Sequence, residues 1–269
     1  MDGTPDHNKI IKQAAREVLN PLGLFQEGQS RIWVDDNGWF LTIVEFQPSA
    51  WSKGSYLNVA LHFLWGADPS PTGLSYDYPV GGAFRQNAFV ALKDHETDFY
   101  EVMIAMAQKA AGLVENYRNF RDLSYARQAI LEIKRNSCHD VLNKLLICGL
   151  MKDPLAEQYY QQLIAILENY LAHSPDCDWA ARLLDYANDL NKLLYTPDLF
   201  QARVVELINE RRDYLHTKPS YKKLSPEPFL CPTISFAPYD PPLKHGFLVT
   251  ILKELFEKYT RGGHPHAPL

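Results

Sequence analysis

The sequence predicts an α+β fold, in which an N-terminal helix and an antiparallel sheet of three or more strands precede an antiparallel array of α-helices. Residues 32–65 alternate between two faces on either side of Asn37-Gly38, as β-strands do. From about residue 96, apolar residues recur with the period of amphipathic helices. The connections between the later helical segments are short, which favours antiparallel neighbours.

The first 65 residues contain the predicted helix and sheet. Asp6 can cap a helix that ends before Pro21, because proline disfavours helical geometry in the residue before it. Asn37-Gly38 predicts a two-residue hairpin turn, since both residues tolerate the positive φ that such a turn requires. A third strand is predicted over residues 55–65, after a loop that contains Pro48.

The next segment is predicted to be a loop followed by helices. Residues 66–82 hold three prolines and four glycines, and residues 83–92 are a candidate fourth strand. Capping residues precede several helix starts: Ser137 with Asp140, Asp153 before Pro154, and Thr196 before Pro197. After the first long helix, which ends near residue 117, helices are predicted over residues 123–135, 138–151, 155–172, 177–194 and 198–216.

These elements suggest four segments. Residues 217–245 hold seven prolines and cannot form a regular helix, yet they keep several large apolar side chains. We therefore expect an arm that lies across the body of the protein. The predicted segments are an α+β head (1–94), a helical array (95–216), the proline-rich arm (217–245), and a C-terminal helix with a tail (246–269).

Composition excludes several classes of protein. Hydrophobic residues make up 46% and charged residues 22% of the chain, as in globular proteins. The formal charge is −5 and no basic run occurs, so nucleic-acid binding is not expected, although a local basic patch is left open. No apolar stretch predicts a signal peptide or a membrane span, which makes the cytoplasm the expected location. The four cysteines include no Cys-x-x-Cys pair, so we expect buried thiols, with no metal and no cofactor.

The first half of the chain resembles the domain of unknown function 4304 family. The helix end "REVLNPLGLFQEGQSRIW" and the strands around "VEFQPSAWSKGSYLNVALHF" are similar to its motifs, over roughly residues 7–130. Leu24 stands where an aromatic residue is more usual, and Pro48 occupies a variable position. The resemblance implies an α+β head and a bacterial origin, but no activity. The corresponding residues are Leu19, Leu22, Gly23, Leu24, Trp33, Phe46, Gln47, Ser49 and Asn58.

Five residues are candidates for binding a ligand or a partner. The loop "LSYDYPVGGAFRQN" concentrates Tyr76, Tyr78 and Arg85 beside flexible glycines, where a guanidinium could hold a carboxylate or a phosphate. Asn58 and His62 share one face of the third strand and could line a shallow polar pocket. An ordinary loop and a half-buried structural histidine are the alternatives.

The sequence gives little evidence for a catalytic or a metal-binding group of residues. Neighbours in Ser137-Cys138-His139-Asp140 point about 100° apart on a helix, so they cannot form a proton relay among themselves. His95, near Asp98 and Glu101, falls short of a metal triad, and acidic residues favour a helix start anyway. No catalytic or metal-binding residue is therefore predicted.

The favoured hypothesis is a non-enzymatic protein-interaction module, such as an antitoxin, immunity or defence component with a protein partner. The acidic charge and aromatic residues expected at the surface favour it: Trp39, Trp51, Tyr76 and Tyr78. One alternative is a hydrolase with a pocket between sheet and helices that uses His62 or His95 with Glu45. The other is a sensor of small anionic ligands in which the loop around Arg85 is the clamp.

Overall fold

An antiparallel five-stranded sheet forms the first half of the fold. The computed structural model describes residues 6–66, 74–95 and 97–232. The strands lie in chain order across the sheet, as expected for hairpins that follow one another. The predicted α+β class and the antiparallel sheet are confirmed. The strands are β1 (Phe25–Gln26), β2 (Ile32–Asp36), β3 (Phe40–Gln47), β4 (Gly54–Phe63) and β5 (Val90–Ala91).

One α-helix precedes this sheet and six follow it within the described residues. The six later helices confirm the predicted array, and their bounds lie close to those that the apolar period predicts. No helix in this part of the chain is both long and apolar enough to cross a membrane. The helices are α1 (His7–Leu19), α2 (Phe99–Tyr117), α3 (Leu123–Leu131), α4 (Cys138–Leu150), α5 (Leu155–His173), α6 (Asp178–Asn191) and α7 (Pro197–His216).

The predicted helix caps differ in how they act. Ser137 and Asp140 form the predicted capping box at the start of α4. Asp153 accepts a hydrogen bond from the Leu155 backbone N–H at 2.9 Å, at the start of α5. The prediction for Thr196 is wrong, because its side chain makes no capping bond and Pro197 alone favours the first turn of α7.

The turn between β2 and β3 lies one residue later than predicted. Asp36 pairs with Leu41, and the Asn37 N–H donates to the Phe40 carbonyl at 3.0 Å, so the turn is centred on Gly38 and Trp39. Gly38 has a φ of 81°, whereas Asn37 does not adopt positive φ. The prediction that both residues take positive φ is wrong. Asn37 instead directs its side chain into contacts that stabilise the turn.

The two faces of the sheet carry different sets of side chains. Directly opposite residues in antiparallel strands lie on the same face, so Phe40 and Phe63 share a face with Val44. On this face Phe40 contacts Phe120, just after α2, with ring centroids 6.1 Å apart. We call it the helix face. The opposite face, called the outer face, includes Asn58 and His62 of β4 together with the buried residues Val34, Leu41, Ile43 and Ala60.

A buried ion pair joins the β2–β3 turn to α7. Arg212 Nη1 and Nη2 donate to the two carboxylate oxygens of Asp36 at 2.7 and 2.9 Å. The same guanidinium donates to the Gly38 and Ser225 carbonyls at 2.8 and 2.9 Å. Arg212 is only 3% exposed, so these bonds replace the water that a guanidinium would otherwise need.

Two further arginines bind the residues on either side of Asp36. Arg118, which follows α2, donates to both carboxylate oxygens of Asp35 at 2.9 and 2.8 Å. Arg121 Nε donates to Asn37 Oδ1 at 2.7 Å. Three successive residues of the turn region therefore each bind an arginine from the helical half.

Trp39 completes the same end of the sheet from within the core. It is 1% exposed and stacks on Trp65, with ring centroids 4.6 Å apart. Trp65 Nε1 donates to Asn143 Oδ1 of α4 at 3.0 Å. The expectation that Trp39 lies at the surface is wrong, because the later position of the turn directs its indole inward.

The first part of the predicted arm lies against this end. Tyr221 donates to Glu27 Oε1 at 2.9 Å, and the Ser225 N–H donates to Asp36 Oδ2 at 2.8 Å. Phe229 and Asn209 of α7 exchange two hydrogen bonds of 2.8 and 3.1 Å. The chain up to Cys231 belongs to one compact unit. The rest of the predicted arm, from residue 233, and the predicted C-terminal helix over 246–269 lie outside the described residues.

Asp36→Asn tests the ion pair that fastens α7 to the sheet. The change leaves the buried Arg212 guanidinium without its charge partner, so we expect the free energy of unfolding to fall by about 3 kcal/mol in urea titrations. Asp189→Asn is the matched control, because it removes an exposed pair with Lys192. Equal stability of Asp36→Asn and the control would contradict the importance of the buried pair.

Acid should weaken the same contact. Burial alone would raise the pKa of Asp36, but the hydrogen bonds and charge of Arg212 outweigh it, so the pKa is lowered. The stabilisation is therefore fully present above the unfolded value of about 3.9 and is lost as pH falls through the folded pKa. We expect the free energy of unfolding to fall less steeply below about pH 4 in Asp36→Asn than in the wild type. Identical pH profiles would contradict this expectation.

Candidate functional site

The segment from Leu74 to Ala91 lies antiparallel along one edge of β4, on the side away from β3. The Leu61 N–H donates to the Tyr78 carbonyl at 2.6 Å, and the Val59 N–H donates to the Phe84 carbonyl at 2.8 Å. We call this segment the strap. It contains single bridges and the short strand β5, so the strand predicted over 83–92 is present only in part. These backbone hydrogen bonds hold the strap against the edge of the sheet.

Asn58 lies at the centre of a polar cluster on the outer face. The register places it opposite Glu45, and its Nδ2 donates to Glu45 Oε2 at 2.7 Å and to Gln47 Oε1 at 3.0 Å. Its Oδ1 accepts a 3.3 Å bond from Arg85 Nε in the strap. Asn58 is 1% exposed, so these partners satisfy an amide that has little access to water.

Arg85 is held in one orientation by neutral groups. Its guanidinium carbon lies 4.0 Å from the centroid of the Tyr56 ring, and its Nη2 donates to Gln47 Oε1. Among the described residues it forms no ion pair with a carboxylate. The residue is exposed to solvent. A fixed guanidinium without a paired acid is suited to binding a carboxylate from outside.

Tyr76 closes the cluster from the strap. Its hydroxyl donates to Glu45 Oε2 at 2.5 Å, and its ring lies 4.6 Å from that of Phe84. Burial and the adjacent Glu45 carboxylate raise the pKa of Tyr76 far above its usual value of about 10. The phenol therefore stays neutral and donates a hydrogen bond, which excludes it as a phenolate base near neutral pH.

Tyr78 lies apart from the cluster. It pairs with Leu61 and therefore faces the helices, where its ring lies 4.9 Å from that of Phe120. Burial, with Tyr125 and Glu132, raises the pKa of Tyr78. The structure thus brings Asn58, Tyr76 and Arg85 together and places Tyr78 on the other side of the sheet.

His62 occupies the other end of the outer face and contacts two strap residues that the sequence analysis did not identify. Its Nδ1 lies 2.8 Å from Ser75 Oγ and 3.4 Å from Asp77 Oδ2. Ser75 Oγ donates to Asp77 Oδ1 at 2.9 Å, and Asp77 Oδ2 accepts the Phe63 N–H at 2.7 Å. His62 is 5% exposed, and its Nε2 has no hydrogen-bond partner among the residues that the structure describes.

This geometry does not form the relay that the hydrolase alternative requires. In a serine nucleophile site the hydroxyl and the carboxylate contact opposite nitrogens of the imidazole, whereas Ser75 and Asp77 both contact Nδ1. His62 also lies four residues along β4 from the partner of Glu45, a separation of about 13 Å. His95 contacts Asp98 at 3.2 Å instead of Glu45.

The cysteines lack the environment of reactive thiols. All four are free, and Cys138 and Cys148 are buried. Burial raises the pKa of both buried thiols, so the nucleophilic thiolate is disfavoured. Within the part of the chain that the structure describes, no cluster of three or more His, Cys, Asp or Glu side chains could hold a metal ion.

The β3–β4 loop places an exposed tryptophan near the polar cluster. Trp51 is 96% exposed, and its backbone N–H donates to Ser49 Oγ at 3.1 Å, which fixes the local turn. It lies four positions after Gln47 in the chain, so it lies within about 14 Å of that residue. The sequence singled out Trp51 as an aromatic residue but gave no sign that Arg85 lies at the same end of the sheet. We call Trp51, Tyr56 and Arg85 the hairpin-end surface.

Comparison of the chain with protein-family models, curated proteins and solved structures finds no match. The resemblance to the domain of unknown function 4304 family therefore stays a prediction.

Proposed function

We propose that the protein is a non-enzymatic interaction module that binds a protein partner through the hairpin-end surface. The observation that carries this proposal is the 96% exposure of Trp51 beside a sheet edge that carries a fixed, unpaired arginine. Tryptophan, tyrosine and arginine are the residues that most often dominate the energy of protein interfaces. An antitoxin or immunity protein acts by such binding alone, which is compatible with the role predicted from the sequence.

Trp51 has the character of an anchor. The transfer of a large apolar ring from water into an apolar pocket on a partner is favourable. The ring has few rotatable bonds, so little conformational entropy is lost on binding. The hydrogen bond from its backbone to Ser49 restrains the loop before a partner arrives.

Arg85 indicates the chemistry of the partner. Tyr56 and Gln47 hold its guanidinium without neutralising its charge. A carboxylate on the partner, from Asp, Glu or a chain terminus, could accept two parallel hydrogen bonds from a guanidinium. We therefore propose a partner that presents an apolar pocket for Trp51 next to an acidic group for Arg85.

Trp51→Ala tests this surface directly. The tagged protein is purified from its native host, and the co-purifying partner is identified and its affinity measured. Removing the anchor should weaken that affinity about 30-fold, the equivalent of about 2 kcal/mol. Because the side chain is almost fully exposed, the melting temperature should not change. Arg85→Lys keeps the charge but removes the planar fork, so it should also weaken binding.

Tyr195→Ala is the matched control. Tyr195 is another exposed aromatic residue, at 75% exposure, in the connection between α6 and α7. Its variant should bind the partner like the wild type. Failure to recover a stoichiometric partner would contradict the proposed function. A partner bound equally by Trp51→Ala would show that the interface lies elsewhere.

A further inference from the structure

A basic depression lies along the exposed face of α1. Its volume is about 520 Å³, within the range of sites that hold small ligands. Lys9, Lys12 and Arg16 lie three and four residues apart, so they share one face of the helix. The depression is lined by Asp6, Asn8, Lys9, Lys12, Gln13, Arg16 and Gln29.

The charge of this lining is unusual for an acidic protein. Three cations and one carboxylate give it a net charge of +2, whereas the chain as a whole carries −5. Among the described residues, no ion pair forms at Lys9, Lys12 or Arg16. Asp6 is occupied in part, because its carboxylate accepts the Asn8 N–H at 3.0 Å.

Two lining residues are held in place by neighbours. Arg16 Nε and Nη2 both donate to Gln26 Oε1, at 3.0 and 2.8 Å, which leaves Nη1 free for an external acceptor. Asn8 Oδ1 accepts from Arg31 Nε at 2.9 Å, so the Asn8 amide has only its N–H donors left for a ligand. Arg31 also donates to the Gly54 carbonyl at 3.0 Å, which ties this wall to the sheet.

We propose that this depression is a binding site for a small phosphate-bearing anion. A phosphoryl group carries a charge of about −1.5 to −2 at neutral pH, which matches the net charge of the lining. Its three oxygens accept hydrogen bonds, and the lining supplies lysine, guanidinium and amide donors. The described part of the lining contains no aromatic side chain, so a nucleobase would find no stacking partner among these residues. The ligand class is therefore a phosphate ester or an inorganic polyphosphate.

Isothermal titration with inorganic pyrophosphate at low ionic strength tests the site. We expect saturable binding with one pyrophosphate per chain. Lys9→Gln with Lys12→Gln should weaken it tenfold or more, since each substitution removes a charge-assisted hydrogen bond to the anion. The control is Lys222→Gln with Lys223→Gln, two exposed lysines whose loss changes the net charge equally. This control should bind like the wild type.

Three outcomes would overturn the proposal. Absent or non-saturable binding of pyrophosphate would show that the depression is not an anion-binding site. Equal weakening in the two double variants would assign the effect to net charge alone. Sedimentation with vesicles that contain phosphatidic acid, without binding of pyrophosphate, would identify a lipid headgroup instead of a free anion. Trp51→Ala should leave pyrophosphate affinity unchanged, so this proposal and the proposed function can fail separately.

Discussion

The ion pair between Asp36 and Arg212 fixes how the helical half sits on the sheet. These residues are 176 positions apart, and their paired hydrogen bonds hold α7 against the β2–β3 turn. The Ser225 N–H donates to the same carboxylate, so the segment after α7 depends on the same contact. Arg118 binds the preceding residue of the turn region. Because a buried charge without its partner costs several kcal/mol, this arrangement strongly disfavours other docking geometries.

This constraint divides the sheet into two ends with different properties. At the turn end, Asp35, Asp36 and Asn37 each bind an arginine of the helical half, and Trp65 donates to Asn143 of α4. At the hairpin end, Trp51 lies in solvent, and Tyr56 and Gln47 hold Arg85, which forms no ion pair with a described carboxylate. Because the scaffold already holds these side chains in place, little conformational entropy would be lost when a partner binds them. The basic depression on α1 is tied to the hairpin end through the bond from Arg31 to the Gly54 carbonyl.

Local signals in the sequence predict most of the elements but few of the contacts. The capping box at Ser137 and the alternation in β4 are encoded by near neighbours, so the start of α4 and the faces of β4 are predictable. The path of the strap from Leu74 to Gly82 is not predictable, because backbone hydrogen bonds to β4 hold it and no side-chain pattern marks such pairing. The path of the strap places Tyr76 beside Glu45, in the cluster around Asn58, and Tyr78 against Phe120 on the helix face. The contacts of the turn region to distant arginines likewise have no local signature.

A double-mutant cycle on Asp36 and Arg212 tests most directly whether the helical half is fastened through the turn. The free energies of unfolding of Asp36→Asn, Arg212→Met and the double variant are compared with that of the wild type. We expect strong coupling, with the double variant more stable by about 1.5 kcal/mol or more than the sum of the two single changes implies. Additivity within about 0.5 kcal/mol would contradict it, because the two residues would then stabilise the fold independently.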